Sequence, residues 1–273
     1  MIPSRLKSLR PYFASLIHPR FPRPPISEMV TWLTQPGKEK RALRYIREKR
    51  QIEDFIEIFF VGHEHPFYYP KEANWIDLCQ TIDECFNPAN WHHFISSYTP
   101  IGSDDIVIDC GAAEGLFSFI AAKHAKKVYA IEPIASWHKP MDKTFRPLGN
   151  VELLKVGVGH KTAMMRMTND EIYSRVSTTG NLEIQIATLD SLFADKNIRV
   201  SFLKADVEGF EFPMLLGAEQ LIRQNRPKVA ITVYHPTNHF VEIIEYLKDL
   251  HCDYQFNFRG IVGNGNPVLL QAY

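Results

Sequence analysis

Paired cysteines are missing from this chain. The four it has, Cys79, Cys85, Cys110 and Cys252, show no CxxC spacing. That argues against a disulfide framework or a structural zinc site and favours reduced thiols in a cytoplasmic protein. Excess charge is missing too, because 31 basic and 31 acidic residues cancel. Nothing global therefore favours a nucleic-acid partner. No run of eighteen apolar residues occurs, so no transmembrane helix is expected. The opening segment, "MIPSRLKSLRPYFASLIHPRFPRPP", lacks the long apolar stretch of a secretory signal and is interrupted by Pro11. Its basic, aromatic composition suits peripheral membrane contact, but an N-terminal arm is the reading adopted. No internal repeat is present, and oligomeric state is not readable.

Apolar residues are plentiful: 45% of the 273 residues are hydrophobic and 12% aromatic. That is ample for one large domain, or a core domain with an extension. Prolines at 19, 22, 24 and 25 stiffen the end of the arm. "GKEKRALRYIREKRQIEDFIEIFF" reads as a charged-faced helix passing into an apolar strand, and "HPFYYP" as an extended piece. "NWIDLCQTIDECF" and "PANWHHFISSY" read as two short helices, the second opened by Pro88.

From Asp105 strands and helices alternate. "IVIDC", "KVYAIEP", "NVELLKVGVG", "KTAMMRM", "LEIQIATL", "VSFLKADVEG" and "KVAITVYHP" read as strands. "LFSFIAAKHA", "FPMLLGAEQLIRQ" and "FVEIIEYLKDL" read as helices, and "DYQFNF" and "NPVLLQAY" as late strands at an antiparallel edge. Continuous apolar strands between helices predict a parallel sheet covered on both faces. The expected division is an arm and helical cap over 1–100 and an α/β core over 101–273.

Ligands of such sheets bind where strands end in glycine turns. "VIDCGAAEG" is such a turn, but counted from Gly111 a dinucleotide fingerprint would need glycines where Ala113 and Leu116 stand. No Gly-Lys-Ser/Thr of a phosphate loop follows. Asp109 and Glu114 would repel a pyrophosphate and attract the ammonium and sulfonium of S-adenosylmethionine. Glu132, 23 residues after Asp109, ends the next strand, where it is expected to accept the ribose hydroxyls.

These blocks, in order, are "YYP", "NWHHF", "DIVIDCGAAEGLFSF", "VYAIEP", "RVSTTGN" with "ATLDSL", "LKADVEGFEFPMLLGA" and "RPKVAITVYHP". Together, over about residues 68–273, they resemble the FkbM-type S-adenosylmethionine-dependent methyltransferases. The resemblance implies a Rossmann-like class I core, with a mostly parallel seven-stranded sheet and helices on both faces. It implies S-adenosylmethionine as cofactor and methylation of a hydroxyl on a sugar, glycolipid or secondary metabolite. The resemblance places cofactor roles on Asp109, Gly111, Gly115 and Glu132, and the expected cofactor set adds their neighbours Ala112, Glu114 and Pro133. "CGAAEG" departs from the usual family text, which carries Asn or a similar residue near Ala113 or Glu114.

Methyl transfer to a hydroxyl needs an in-line acceptor and a base for its proton. Asp206 and Glu208, at the end of "SFLKADVEG", are the candidate carboxylates, and His235 in "VYHP" is a candidate base. Lys204 alternates with Asp206 and is expected to pair with it or to contact substrate. Asp206, Glu208, Glu211 and His235 are the residues a divalent metal would use, although none is predicted. "HEH" at 63–65 is read as a surface turn, and Trp91, His92 and His93 as a wall of the acceptor pocket or a cover for the sheet. A nicotinamide oxidoreductase and a catalytically silent cofactor-binding module are the alternatives.

Overall fold

The computed structural model describes residues 25–167, 180, 182–193, 196, 198–235, 240–262 and 266–273. Prolines 19, 22 and 24, nearly all of "RVSTTGN" and Pro236 fall outside them.

The chain enters through helices α1 (Ile26–Thr34) and α2 (Lys38–Ala42). The charged segment after Gly37 is a helix for five residues only. It then forms β1 (Ile46–Ile52), which pairs antiparallel with β2 (Phe55–Phe60). The expected long helix is thus a hairpin, closed by Glu53 and Asp54 with Glu53 at φ 43°. The strand is favoured because β2 buries Phe55, Ile58 and Phe60, while β1, largely exposed, pairs along it. Strand β3 (Phe67–Pro70) completes this small sheet, and α3 (Trp75–Phe86) follows, capped by the Asn74 side chain on Ile76 N. "PANWHHFISSY" is turns rather than a helix. There Asn87 and Asn90 side chains bond the backbone two residues on, which competes with helix formation.

The core alternates as expected: β4 (Ile106–Cys110), α4 (Leu116–Ala122), β5 (Lys127–Ile131), α5 (Ala135–Phe145) and β6 (Val151–Leu154). After β6 come β7 (Gly157–Val158), β8 (Ala163–Met167), β9 (Leu182–Ala187), α6 (Leu189–Phe193) and β10 (Phe202–Ala205). The expected single helix after β10 is two, α7 (Glu211–Leu216) and α8 (Glu219–Asn225). The break arises because Asp190 accepts from the backbone N–H groups of Gln220 and Leu221, starting a new helix there. Then come β11 (Lys228–Thr232), α9 (Phe240–Asp249), β12 (Phe256–Arg259) and β13 (Leu269–Ala272).

Seven strands form one sheet in the order β12-β13-β11-β10-β4-β5-β6. All neighbours pair in parallel except that β13 runs antiparallel to both β11 and β12. Strand order reverses between β4 and β10, which opens a crevice at their carboxyl ends. Val107 and Phe202 face a core shared with α3, α4, α5 and the small sheet. Ile108, Leu203 and Ala205 face a second core with α6 to α9. This is the Rossmann-like class I methyltransferase fold. Among the described residues no helix is long and apolar enough to cross a membrane.

Candidate active site

The glycine turn sits in that crevice. Gly111 has φ +71°, and a Cβ there would lie 2.0 Å from the carbonyl oxygen of Asp206. The turn after β4 therefore rests directly on the turn after β10. Gly115 (φ +89°) starts α4 against Phe145 and Met141. Ala113, at φ 47°, donates its N–H to Glu132 Oε2 at 2.8 Å, and Ile134 N donates to Oε1 at the same distance. Glu132 thus ties the turn to the end of β5.

Asp109 lies elsewhere than the sequence suggests. It is fully buried and borders neither of the two crevice cavities. Its Oδ1 sits 2.8 Å from Lys204 Nζ, and its Oδ2 accepts from Ser118 Oγ at 2.7 Å. Parallel pairing sets Lys204 opposite Asp109, so the lysine's salt bridge is with Asp109 rather than with Asp206. Lys204 also donates to Gly111 O at 2.7 Å. The charge expected to greet a cationic ligand is neutralised internally; Asp109 and Lys204 brace the turn.

Two cavities flank the turn and share Gly111, Ala113, Asp206 and Glu208 as a common wall. The first has about 580 Å³ of open space between Ile131–Ile134, Trp137, Val156–Val158, Ile184 and Ile186. Glu132 and Pro133 line it, and among the described residues no lysine or arginine does. The described lining offers a pyrophosphate no counter-charge. An apolar slot with a carboxylate that retains free lone pairs suits a purine nucleoside. These residues fit S-adenosylmethionine.

The second cavity, about 650 Å³, lies between Gln80, Thr81, Glu84 and Cys85 of α3 on one side and Phe94, Phe117, Lys204 and Tyr234 on the other. Ala112 and Glu114 face this second cavity and not the first. Glu114 is buried, and its Oε1 has no hydrogen-bond partner. His92 packs edge-on to Tyr234, with ring centroids 5.1 Å apart, and Trp91 stacks on Trp32. His63 stacks on Phe119, away from both cavities.

Glu211 organises the far end. Its Oε1 lies 2.7 Å from His235 Nδ1 and accepts from Val207 N, Gly209 N and Thr232 Oγ1. Burial opposes a charge on His235, but the Glu211 hydrogen bond and the neighbouring Asp206, Glu211 and Glu208 charges prevail, raising its pKa to about 9. That favours the imidazolium at neutral pH, a form without a lone pair to act as base. Glu208 holds its backbone at φ 53°.

Burial raises three carboxyls in the crevice: Glu84 to about 8, with help from Asp206, and Glu114 and Glu132 each to about 7. Each takes up a proton on folding, so its contribution to stability is full below its ordinary value near 4.5 and is lost as pH rises through 7 to 8. His63, His92 and His93, pushed by burial to about 4, act oppositely, but only below 6.5. The ligand-free protein is therefore expected to melt at falling temperature from about pH 6.5 to about 8.5. Glu84→Gln should flatten that decline in scanning fluorimetry. A melting temperature that holds or rises across the window contradicts the assignment.

Glu84 and Tyr234 are the site residues that the sequence does not reveal. Gln80 and Glu84 stand four apart on α3 and are hydrogen-bonded to each other, a pattern indistinguishable from a solvated helix face.

The sheet order defines a class I methyltransferase fold. A family model described as "Methyltransferase FkbM domain" matches residues 109–256, and the chain belongs to that family. Its cofactor is S-adenosylmethionine. An uncharacterized protein of Methanocaldococcus jannaschii is 30% identical over 110 residues, which are 40% of each chain. The crystal structure of a methyltransferase FkbM from Methylobacillus flagellatus superposes with TM-score 0.52 at 19% identity, over 74% of this chain and 56% of that one. The chain thus spans well under two thirds of either relative.

Proposed function

We propose that this protein transfers a methyl group from S-adenosylmethionine to a hydroxyl of a small acceptor such as a sugar, glycolipid or secondary metabolite. The observation that supports this most is the shared wall: a nucleoside-shaped cavity and a polar cavity meet at Gly111, Ala113, Asp206 and Glu208. Bound S-adenosylmethionine supplies an electrophilic methyl on a sulfonium sulfur. The chain's own part is to hold and align. Glu132 accepts the ribose hydroxyls through lone pairs left over from Ala113 N and Ile134 N. Asp206 or Glu208 accepts the acceptor hydroxyl's proton as its oxygen bonds to carbon and the sulfur keeps the departing electron pair. Residues before 101 contribute Gln80, Thr81, Glu84 and Phe94 to the acceptor side, the role proposed for the cap.

Isothermal titration should show S-adenosylmethionine binding and no NADH binding. Glu132→Ala is expected to weaken cofactor affinity about 10–100-fold, from the loss of hydrogen bonds to a charged group. Asp206→Asn should keep that affinity while lowering S-adenosylhomocysteine formation about 10²–10⁴-fold. NADH binding without S-adenosylmethionine binding would refute the reading, and unchanged turnover in folded Asp206→Asn would remove that residue from the chemistry.

A further inference from the structure

His235 carries a ring nitrogen without a hydrogen-bond partner beside two carboxylates of the shared wall. The residue is 5% exposed, and its Nε2 is buried with no hydrogen-bond partner. That nitrogen points at two carboxylates from another loop: Glu208 Oε2 lies 3.4 Å away and Asp206 Oδ1 3.6 Å. These distances are long for hydrogen bonds. They are close to the separation of about 3.4 Å between neighbouring ligands each about 2.1 Å from one tetrahedral ion. Ligand atoms of Asp206, Glu211 and His235 all fall within 4.8 Å of one another, the one such group found among the described residues.

The surroundings separate ligands from supports. Glu211 Oε1 already serves His235 Nδ1, two backbone N–H groups and Thr232, which makes it the orienting partner of the imidazole. With Nδ1–H donating to Glu211, Nε2 is the nitrogen that would coordinate, an arriving ion displacing the proton it carries in the metal-free protein. The single Thr232 hydroxyl proton is shared between Asp206 Oδ1 at 3.0 Å, the nearer acceptor, and Glu211 Oε1 at 3.3 Å, steadying the Asp206 carboxylate. Asp206 and Glu208 border both cavities, so an ion between them would stand where cofactor and acceptor meet.

We propose that His235 Nε2, Asp206 and Glu208 form a divalent transition-metal site, with Glu211 positioning the imidazole. One imidazole with two carboxylates selects a first-row ion such as Mn²⁺, Fe²⁺ or Zn²⁺ over Mg²⁺ or Ca²⁺. Such an ion would orient and acidify an acceptor hydroxyl. That catalytic consequence rests on the methyltransferase reading; the binding site itself does not. Of the four residues expected from the sequence, Asp206, Glu208 and His235 stay as ligands and Glu211 becomes the support of the imidazole.

The test is calorimetric titration of the full chain, stripped with EDTA, with Mn²⁺, Zn²⁺ and Mg²⁺ separately, alongside the Mn²⁺ electron paramagnetic resonance spectrum. One Mn²⁺ or Zn²⁺ per chain is expected, with Mg²⁺ weaker. His235→Ala and Glu208→Gln should each remove it, and Glu211→Gln should weaken it about 10–100-fold. A cooperative thermal melt of each variant reports that it remains folded; Glu208→Gln is nearly isosteric and carries the test if His235→Ala does not fold. No binding by the wild type, or binding unchanged in the folded variants, overturns the proposal and leaves an imidazolium held by its carboxylates. S-adenosylhomocysteine formation in EDTA without metal binding would remove the ion and keep the methyltransferase. Metal binding without turnover on any acceptor would do the reverse.

Discussion

Lys204→Met is expected to lower the melting temperature by about 10 °C, far more than an average surface change. Asp109 is wholly buried and Lys204 nearly so, and the pair is 2.8 Å apart. Removing one partner of such a pair leaves a charge without water or counter-ion, which costs roughly 3–5 kcal/mol. Ser118 Oγ would remain as a donor to Asp109, but a hydroxyl does not replace a charge. The second half of the test is Lys204→Met with Asp109→Leu, which removes both charges and should recover most of the loss. Thermal melts of the two variants decide it. A single variant as stable as the wild type would show that the pair does not hold the turn.

Gly111→Ala should damage both stability and cofactor binding. A φ of +71° costs an alanine about 1–2 kcal/mol before any contact is considered. The added methyl would then press within 2.0 Å of the Asp206 carbonyl, which belongs to backbone and cannot swing aside. Forced displacement of that kind adds roughly 1–3 kcal/mol. It also moves the turn carrying Asp206 and Glu208 away from β4. Melting temperature and S-adenosylmethionine affinity measured together should both fall. An alanine variant that keeps both would mean the two turns are not in contact in solution.

The α/β half was legible because its strands are buried on both faces and its helices are interrupted by turn residues. "IVIDC" and "KVAIT" have few other readings. The hairpin of β1 and β2 was not legible. Its turn is Glu53-Asp54, without the glycine or asparagine that marks most two-residue hairpins, and β1 carries charges on both sides. A helix satisfies such a sequence locally; only pairing with β2 favours the strand.

The glycine turn and the strand-end position of Glu132 were readable from the sequence, but the hydrogen bonds by which Glu132 holds that turn were not. Asp109 was misread, because its neutralising partner lies on a strand far along the chain and no local pattern shows that pairing. The same limit hid Glu84, which reaches the site only because α3 packs beside α4. His235 was readable as a site residue but not in its protonation, which depends on Glu211, Asp206 and Glu208 converging on it.

The order of strands has a consequence for how the protein comes to exist. β4 and β10 are neighbours in space, yet the bond from Ile106 N to Ser201 Oγ spans 95 residues. Closing so long a loop is entropically costly and slow, and contacts of high sequence separation form late. The half built from β4, β5 and β6 can assemble early through local crossovers. Until β10 docks beside β4, however, Asp109 has no counter-ion and the cofactor cavity lacks a wall. During synthesis the amino-terminal half would leave the ribosome with an open sheet edge, and the binding crevice would close only once residues beyond 205 had followed.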